Sequence, residues 1–481
     1  MARKEGKLKR VTRFLLASSL LIGIFSLAAF AAINTQRFSN IGATSGQADG
    51  LEPGGDRFNS YAWTMETMEN SSGNEFLYVG TNRDIIYALL LYSGVDAASI
   101  EAIFGEDVVP TEDGNYSRGR ILRKRTNGIG DWEQVYSSDL YSGYRGVISF
   151  EAPDEDQPSL YFATQGMPRI LKFGPDFQPG DTPVTVFEKA GASLRSMTVH
   201  NDGSGDRVFA GVVIPSNTVQ SEDRLQIWAN GNPSSWETAS ADWERVAWME
   251  DFEGARVNAK SVNCGGIWDM ISFNGWLYAF IGNNYEGDDG DGFMVFKGRP
   301  AQGGESGNAA GWHWAPVVST TAYGQGKAAY PNSLGNPSHA AASPFHYSVG
   351  GKDYVYVGTF ADVIGPLQTY LGGGPLSVIL NSLYPCQVYR FDTTDKWEMV
   401  IGNPQDSSGV FGSCLGNFGA GFFNPPGGSI TLPEGISSAR ELSLNQYAWR
   451  MGVYNDKLFV TTFDMSVFLD YATNFVSTPE E

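Results

Sequence analysis

Five side chains carry the chain's most suggestive chemistry: Arg145, Arg195, Asp269, His346 and Arg450. Each is polar and lies in an otherwise apolar, aromatic stretch, and the stretches are variants of one phrase. Guanidinium groups brought together can hold a carboxylate or sulfate through paired, charge-assisted hydrogen bonds. An acid such as Asp269 beside them suits proton transfer. The same residues equally suit a filled channel in which arginines pair with acids.

A second polar group is the run from Asn283 to Gly292, with Glu286, Asp288, Asp289 and Asp291. Clustered carboxylates, amides and glycines suit a hard, oxygen-liganded cation, and calcium is the one metal the sequence suggests. The run lacks EF-hand spacing, and a solvated acidic turn is the alternative. Catalytic patterns are otherwise scarce. The four histidines, His200, His313, His339 and His346, form no His-x-x-x-His or Ser/His/Asp arrangement. No glycine-rich phosphate loop follows a strand and opens a helix. Carboxylate pairs for glycoside hydrolysis are spatial rather than sequential, so that chemistry stays open.

The elements that must position these residues repeat. Tyr61-Ala62-Trp63-Thr64-Met65 returns as Tyr447-Ala448-Trp449-Arg450-Met451. A β-rich run follows each copy, Phe76 to Thr81 and Lys457 to Thr462. Weaker copies begin near residues 144, 193, 266 and 341. In most units a third run follows (Ile121–Arg123, Ile170–Phe173, Leu225–Trp228, Phe293–Phe296, Val388–Phe391). A fourth closes the unit, as in Trp132-Glu133-Gln134-Val135, Trp243-Glu244-Arg245-Val246 and Trp397-Glu398-Met399-Val400. These short β-branched and aromatic runs, bounded by Gly, Asn, Asp and Pro, read as strands and turns.

Four strands per unit, with a Trp near the outer edge, is the grammar of a propeller blade. The expectation is an all-β chain: a β-propeller of about six four-stranded blades, preceded by an N-terminal hydrophobic helix. One blade cannot bury both faces, so neighbours must stack on it. The five polar residues fall on the innermost strand of their blades, which lines the funnel. The sixth blade has only Phe468 to Val476 left for its outer strands, and residues 38–60 could supply a closing one.

Residues 1–33 read as a signal peptide or a membrane anchor. Arg3, Lys4, Lys7, Lys9, Arg10 and Arg13 form a basic start, and Phe14 to Ile33 is mostly apolar. Ala29-Phe30-Ala31 is a small-x-small cleavage candidate, yet the stretch is just long enough to span a bilayer. Both readings export the remainder, leaving it secreted or tethered to the cytoplasmic membrane, with no other membrane contact. Residues 34–57 form a linker or closing strand, and 58–481 the propeller. Inserts at 84–113, 361–383 and 407–439 interrupt it and offer a binding face. The formal charge of −20 opposes a phosphate backbone and excludes nucleic acid as a partner. Cys264, Cys386 and Cys414 allow one disulfide in an oxidising compartment, with the pairing open.

The stretch Asn445 to Asp464 and the pair Val388–Phe391 with Trp397–Val400 resemble a group of exported prokaryotic β-propeller proteins. Their repeats read as a Trp-Arg-Met strand, a Leu-Tyr-Val-Gly-Thr strand, an Ile-Trp-Arg strand and Trp-x-x-Val. The similarity spans about residues 58–471 and implies the fold, not an activity. A looser similarity is to sialidase-like propellers. Asp392 keeps the acid of their Asp-box turn before Trp397, without its Ser and Gly. Tyr144-Arg145-Gly146-Val147 resembles their first arginine motif, without its proline.

Two functions follow as expectations. One is a binding or scaffold module for a glycan, protein or envelope component. The other is a glycan-directed hydrolase or lyase, whose funnel arginines hold an anionic sugar while Asp269 moves the proton.

Overall fold

The computed structural model describes residues 61–83, 96–104, 119–127, 132–214, 224–252, 266–281, 293–319, 334, 339–361, 386–402, 411–412 and 445–464. Within them the chain is all-β in character, folded as consecutive antiparallel meanders. The first holds β1 (Tyr61–Glu69), β2 (Glu75–Asn82), β3 (Arg120–Arg125) and β4 (Glu133–Ser137). The second holds β5 (Tyr141–Phe150), β6 (Ser159–Gly166), β7 (Arg169–Phe173) and β8 (Val184–Glu188). The third is β9 (Ser193–Asn201), β10 (Asp206–Val213), β11 (Leu225–Asn230) and β12 (Glu244–Ala247). The fourth is β13 (Ile267–Phe273), β14 (Trp276–Ile281), β15 (Met294–Pro300) and β16 (Trp312–Val318). The fifth is β17 (His339–Val349), β18 (Lys352–Ala361), β19 (Val388–Asp392) and β20 (Trp397–Ile401), extended by a parallel pairing to β21 (Phe411–Gly412). A hairpin of β22 (Asn445–Tyr454) and β23 (Lys457–Asp464) follows.

The runs expected as strands fall on these strands, with Trp132, Trp243 and Phe293 one residue before the observed start. Successive units are tied by packing and by single ladder positions, Asn82 to Gly143 and Phe360 to Tyr447. Each apolar core lies between two units rather than within one. Tyr78, Ile121, Phe162 and Phe173 close the first junction. Tyr161, Phe187, Val208 and Trp243 close the second, and Phe209, Ile227, Phe296 and Trp312 the third. Phe280, Tyr389, Phe391 and Trp397 fill the fourth, and Tyr356, Val388 and Ala448 seat the hairpin on the fifth unit. A sheet with two apolar faces is stable only when both are covered in this way.

Two repeated residues have a direct physical reason. A Cβ on Gly358 would stand 2.6 Å from the Ala448 Cβ of β22, and one on Gly80 would stand 2.8 Å from the Tyr144 Cβ of β5. The glycine of the second strand thus lets the next unit's first strand come close. The closing Trp pins the same junction from outside. Trp243 Nε1 donates to Val186 O at 2.8 Å, and Trp314 Nε1 to Val246 O at 3.1 Å. Each indole therefore bonds the preceding unit's outer strand.

Several expectations fall outside the described residues. These are the leader at 1–33, the linker at 34–57, the segments that would complete a sixth blade, the acidic run at 283–292, and Cys264 and Cys414. Of the inserts, the first contributes helix α1 (Ala97–Phe104) and the third contributes β21. Cys386 is a buried free thiol. Among the described residues, no helix is long and apolar enough to cross a membrane.

Candidate functional site

The first strand of every unit carries an irregularity at the same register. Across from β2, β6, β10, β14, β18 and β23, the residue skipped at that register is Trp63, Arg145, Arg195, Trp268, Ser343 and Trp449 respectively, and β5 and β22 each carry a second skip, at Ser142 and Gln446. A bulge re-aims the inserted side chain and sharpens the local twist. Trp63, Arg145, Arg195, Trp268 and Trp449 line one cavity, with Asp269, Tyr447 and Arg450. Ser343, the remaining bulged residue, instead donates its hydroxyl to the Trp449 carbonyl.

The cavity measures about 20 Å³. That is room for a water or the head of an oxyanion, the rest of a ligand lying outside. Its wall reads Trp63, Arg145, Arg195, Trp268 in chain order. The Arg145 guanidinium lies 4.8 Å from the Trp63 ring centre, and that of Arg195 lies 3.2 Å from the ring centre of Trp268. Each cation rests on the aromatic residue of its outer neighbour, which fixes the plane of its donor fork. Trp268 is fixed in turn by stacking on Phe360 at 4.5 Å and by donating Nε1 to Tyr447 Oη at 3.0 Å.

Arg145 is only 6% exposed. Its Nη1 donates to Ser193 Oγ at 2.9 Å, while its buried Nε has no partner among the described residues. Burial, and then repulsion from Arg195, hold its guanidinium well below the usual arginine value, against an opposing pull from Tyr447. A guanidinium does not give up its proton near neutrality. The cost is therefore borne by a buried cation, and an anion would relieve it.

Asp269 Oδ2 meets Arg450 Nη1 at 3.3 Å, and Oδ1 accepts the Met270 N–H at 3.0 Å. Burial raises the carboxyl above its usual range. The charges of Arg450 and Arg195 and the Met270 hydrogen bond offset only part of that rise. The described lining thus holds three guanidinium groups and one carboxylate. It is cationic inside a strongly acidic chain.

Of the residues singled out in the sequence, Arg145, Arg195, Asp269 and Arg450 come together. His346 does not join them. It is exposed on β17, with its ring 5.6 Å from Phe273 and Nε2 3.5 Å from Asp353 Oδ1. Glu286, Asp288, Asp289 and Asp291 lie outside the described residues, among which no cluster of metal-ligating side chains occurs. Sequence reading missed Trp63, Trp268, Tyr447 and Trp449 as site residues. The signal was present: aligned on their units, Trp63, Arg195, Trp268 and Trp449 occupy one column, two residues before a methionine.

No family model matches the chain, and no curated protein does. Among solved structures, one from a study of two prolyl endopeptidases is 11% identical, with a TM-score of 0.31 over 71% of this chain and 35% of its own. A puromycin-hydrolysing peptidase of Mycobacterium tuberculosis is 12% identical, with a TM-score of 0.33 over 72% and 40%. An ancestral GH74 enzyme is 11% identical, with a TM-score of 0.28 over 61% and 40%. The chain spans well under half the length of each, and likeness at this level carries no argument about activity.

Proposed function

We propose that the repeated units are blades of an exported β-propeller of about six blades, and that its central channel binds the oxyanion head of a ligand. The ligand is a glycan, protein or envelope component bearing a carboxylate or sulfate. The observation that carries this reading is Arg145. It is buried and stacked on Trp63, it faces Arg195, and its Nε lacks a partner among the described residues. Burying such a donor fork is costly unless an acceptor arrives.

The test is a titration of the full chain with sodium glucuronate and with sodium sulfate, followed by tryptophan fluorescence, since three indoles line the site. The wild type should respond saturably, and Arg145→Gln should weaken binding at least tenfold, about 1.4 kcal/mol. Equal responses from both proteins would sink the reading.

The hydrolase or lyase reading is supported by one observation, the raised carboxyl of Asp269 beside two arginines, which suits a proton donor. It predicts turnover of acidic-sugar glycosides that Asp269→Asn abolishes while binding persists. Binding without turnover in the wild type would remove it.

A further inference from the structure

Within the channel reading, on which this inference rests, Asp269 occupies an unusual place. Its carboxylate is the one anion in the described lining, and it already engages Arg450. The contact is long at 3.3 Å, and the Arg450 side chain remains 42% exposed. Nothing holds this pair shut as a bidentate fork would. An incoming oxyanion meets Arg450 only in competition with Asp269, whose charge also acts on Arg195.

We infer that Asp269 is an internal competitor for the ligand's oxyanion, so that the channel takes up a proton as it takes up its ligand. While Asp269 is ionised it neutralises part of the cationic wall and repels a second anion at short range. Once protonated it repels nothing, releases Arg450, and can itself donate a hydrogen bond. Linkage then requires that ligand binding raise proton affinity at this carboxyl, and that lower pH tighten binding.

The groups that set this balance face Asp269 from each packed element. Arg450 and Tyr447 come from β22, Arg195 from β9 and Arg145 from β5. β14 places Phe280 opposite Asp269, a side chain with no ionisable group. β17 brings His346, which faces Phe273 at the far end of β13. Asp269 is therefore the group in the described lining whose charge changes between neutrality and the carboxylate range. Its burial moves that change upward, toward neutrality.

The experiment is calorimetric titration of the full chain with sodium sulfate, whose charge is constant over the range, at pH 7.5 and pH 5.5. Glucuronate is run in parallel to tell a sulfate preference from a carboxylate one. Wild-type affinity for sulfate should rise about five-fold or more at the lower pH. At pH 7.5 the heat should differ between buffers of different ionisation enthalpy, reporting proton uptake. Asp269→Asn should bind sulfate at pH 7.5 about as tightly as the wild type does at pH 5.5, with little pH dependence. Asp269→Ser guards against misfolding of the first variant. Binding by wild type and variants with the same affinity and pH slope would overturn the competitor role alone. Absence of binding in wild type and both variants at both pH values would overturn the channel reading with it.

Discussion

Arg195 owes its position to one inserted residue. The ladder of β9 and β10 passes from Ser196 to Leu194 without it, and its guanidinium carbon sits 3.2 Å from the Trp268 ring centre. The contact needs a planar, delocalised cation, and a lysine there would keep the charge while losing the fork and the stack. Arg195→Lys should therefore lower oxyanion affinity about tenfold with little change in the unfolding midpoint, measured by fluorescence titration and urea unfolding. At this scale the sequence was legible where polarity broke an apolar run, as at Arg145, Arg195, Asp269 and Arg450. It was ambiguous where the site is built from residues that also build cores. Trp268, 4% exposed, is core to the fold and wall to the cavity at once. His346 shares the polar-in-apolar signal but falls past the bulge at Ser343, so its side chain meets Phe273 instead.

At the level of elements, the repeat is legible because each strand must satisfy the same neighbours. The Gly of Tyr-Val-Gly-Thr answers a close approach, and Trp243 of one Trp-x-x-Val donates to the unit before it. The bulges were not legible, since an inserted residue leaves no mark in composition and shows only as a pairing that skips. One junction should sense pH. His200, at the end of β9, is 2% exposed, with Nδ1 2.8 Å from Ser272 Oγ on β13 and Nε2 without a partner among the described residues. Burial lowers its pKa, with Asp202 and Asp206 opposing in part. The neutral ring is thus favoured in the folded state. Its contribution is full above the ordinary histidine value of 6.5 and is lost as pH falls below that value toward the folded-state one. The urea midpoint should fall between pH 7.5 and 5.5, and His200→Gln should show a smaller fall across the same interval. A variant as pH-sensitive as the wild type would assign the effect elsewhere.

Across the whole molecule, the charge of the cavity lining is opposite in sign to that of the chain. The chain carries a formal −20, yet the described lining of the cavity is cationic. On the proposed reading, net negative charge disfavours polyanions, while a small cationic cavity takes a single anionic head. The residues that make it come from β1, β5, β9, β13 and β22, so the site exists only when the units stand together. This also explains why function was harder to read than fold: each repeat predicts its own strands, but no single repeat contains the pocket. The most direct test is a crystal of the full chain soaked in selenate, with the selenium located by anomalous scattering. A peak is expected within hydrogen-bonding distance of Arg145 Nε and the Arg195 guanidinium, and none in Arg145→Gln. A cavity that stays free of selenate, with Arg145 Nε bonded to a carboxylate of the chain itself, would contradict it.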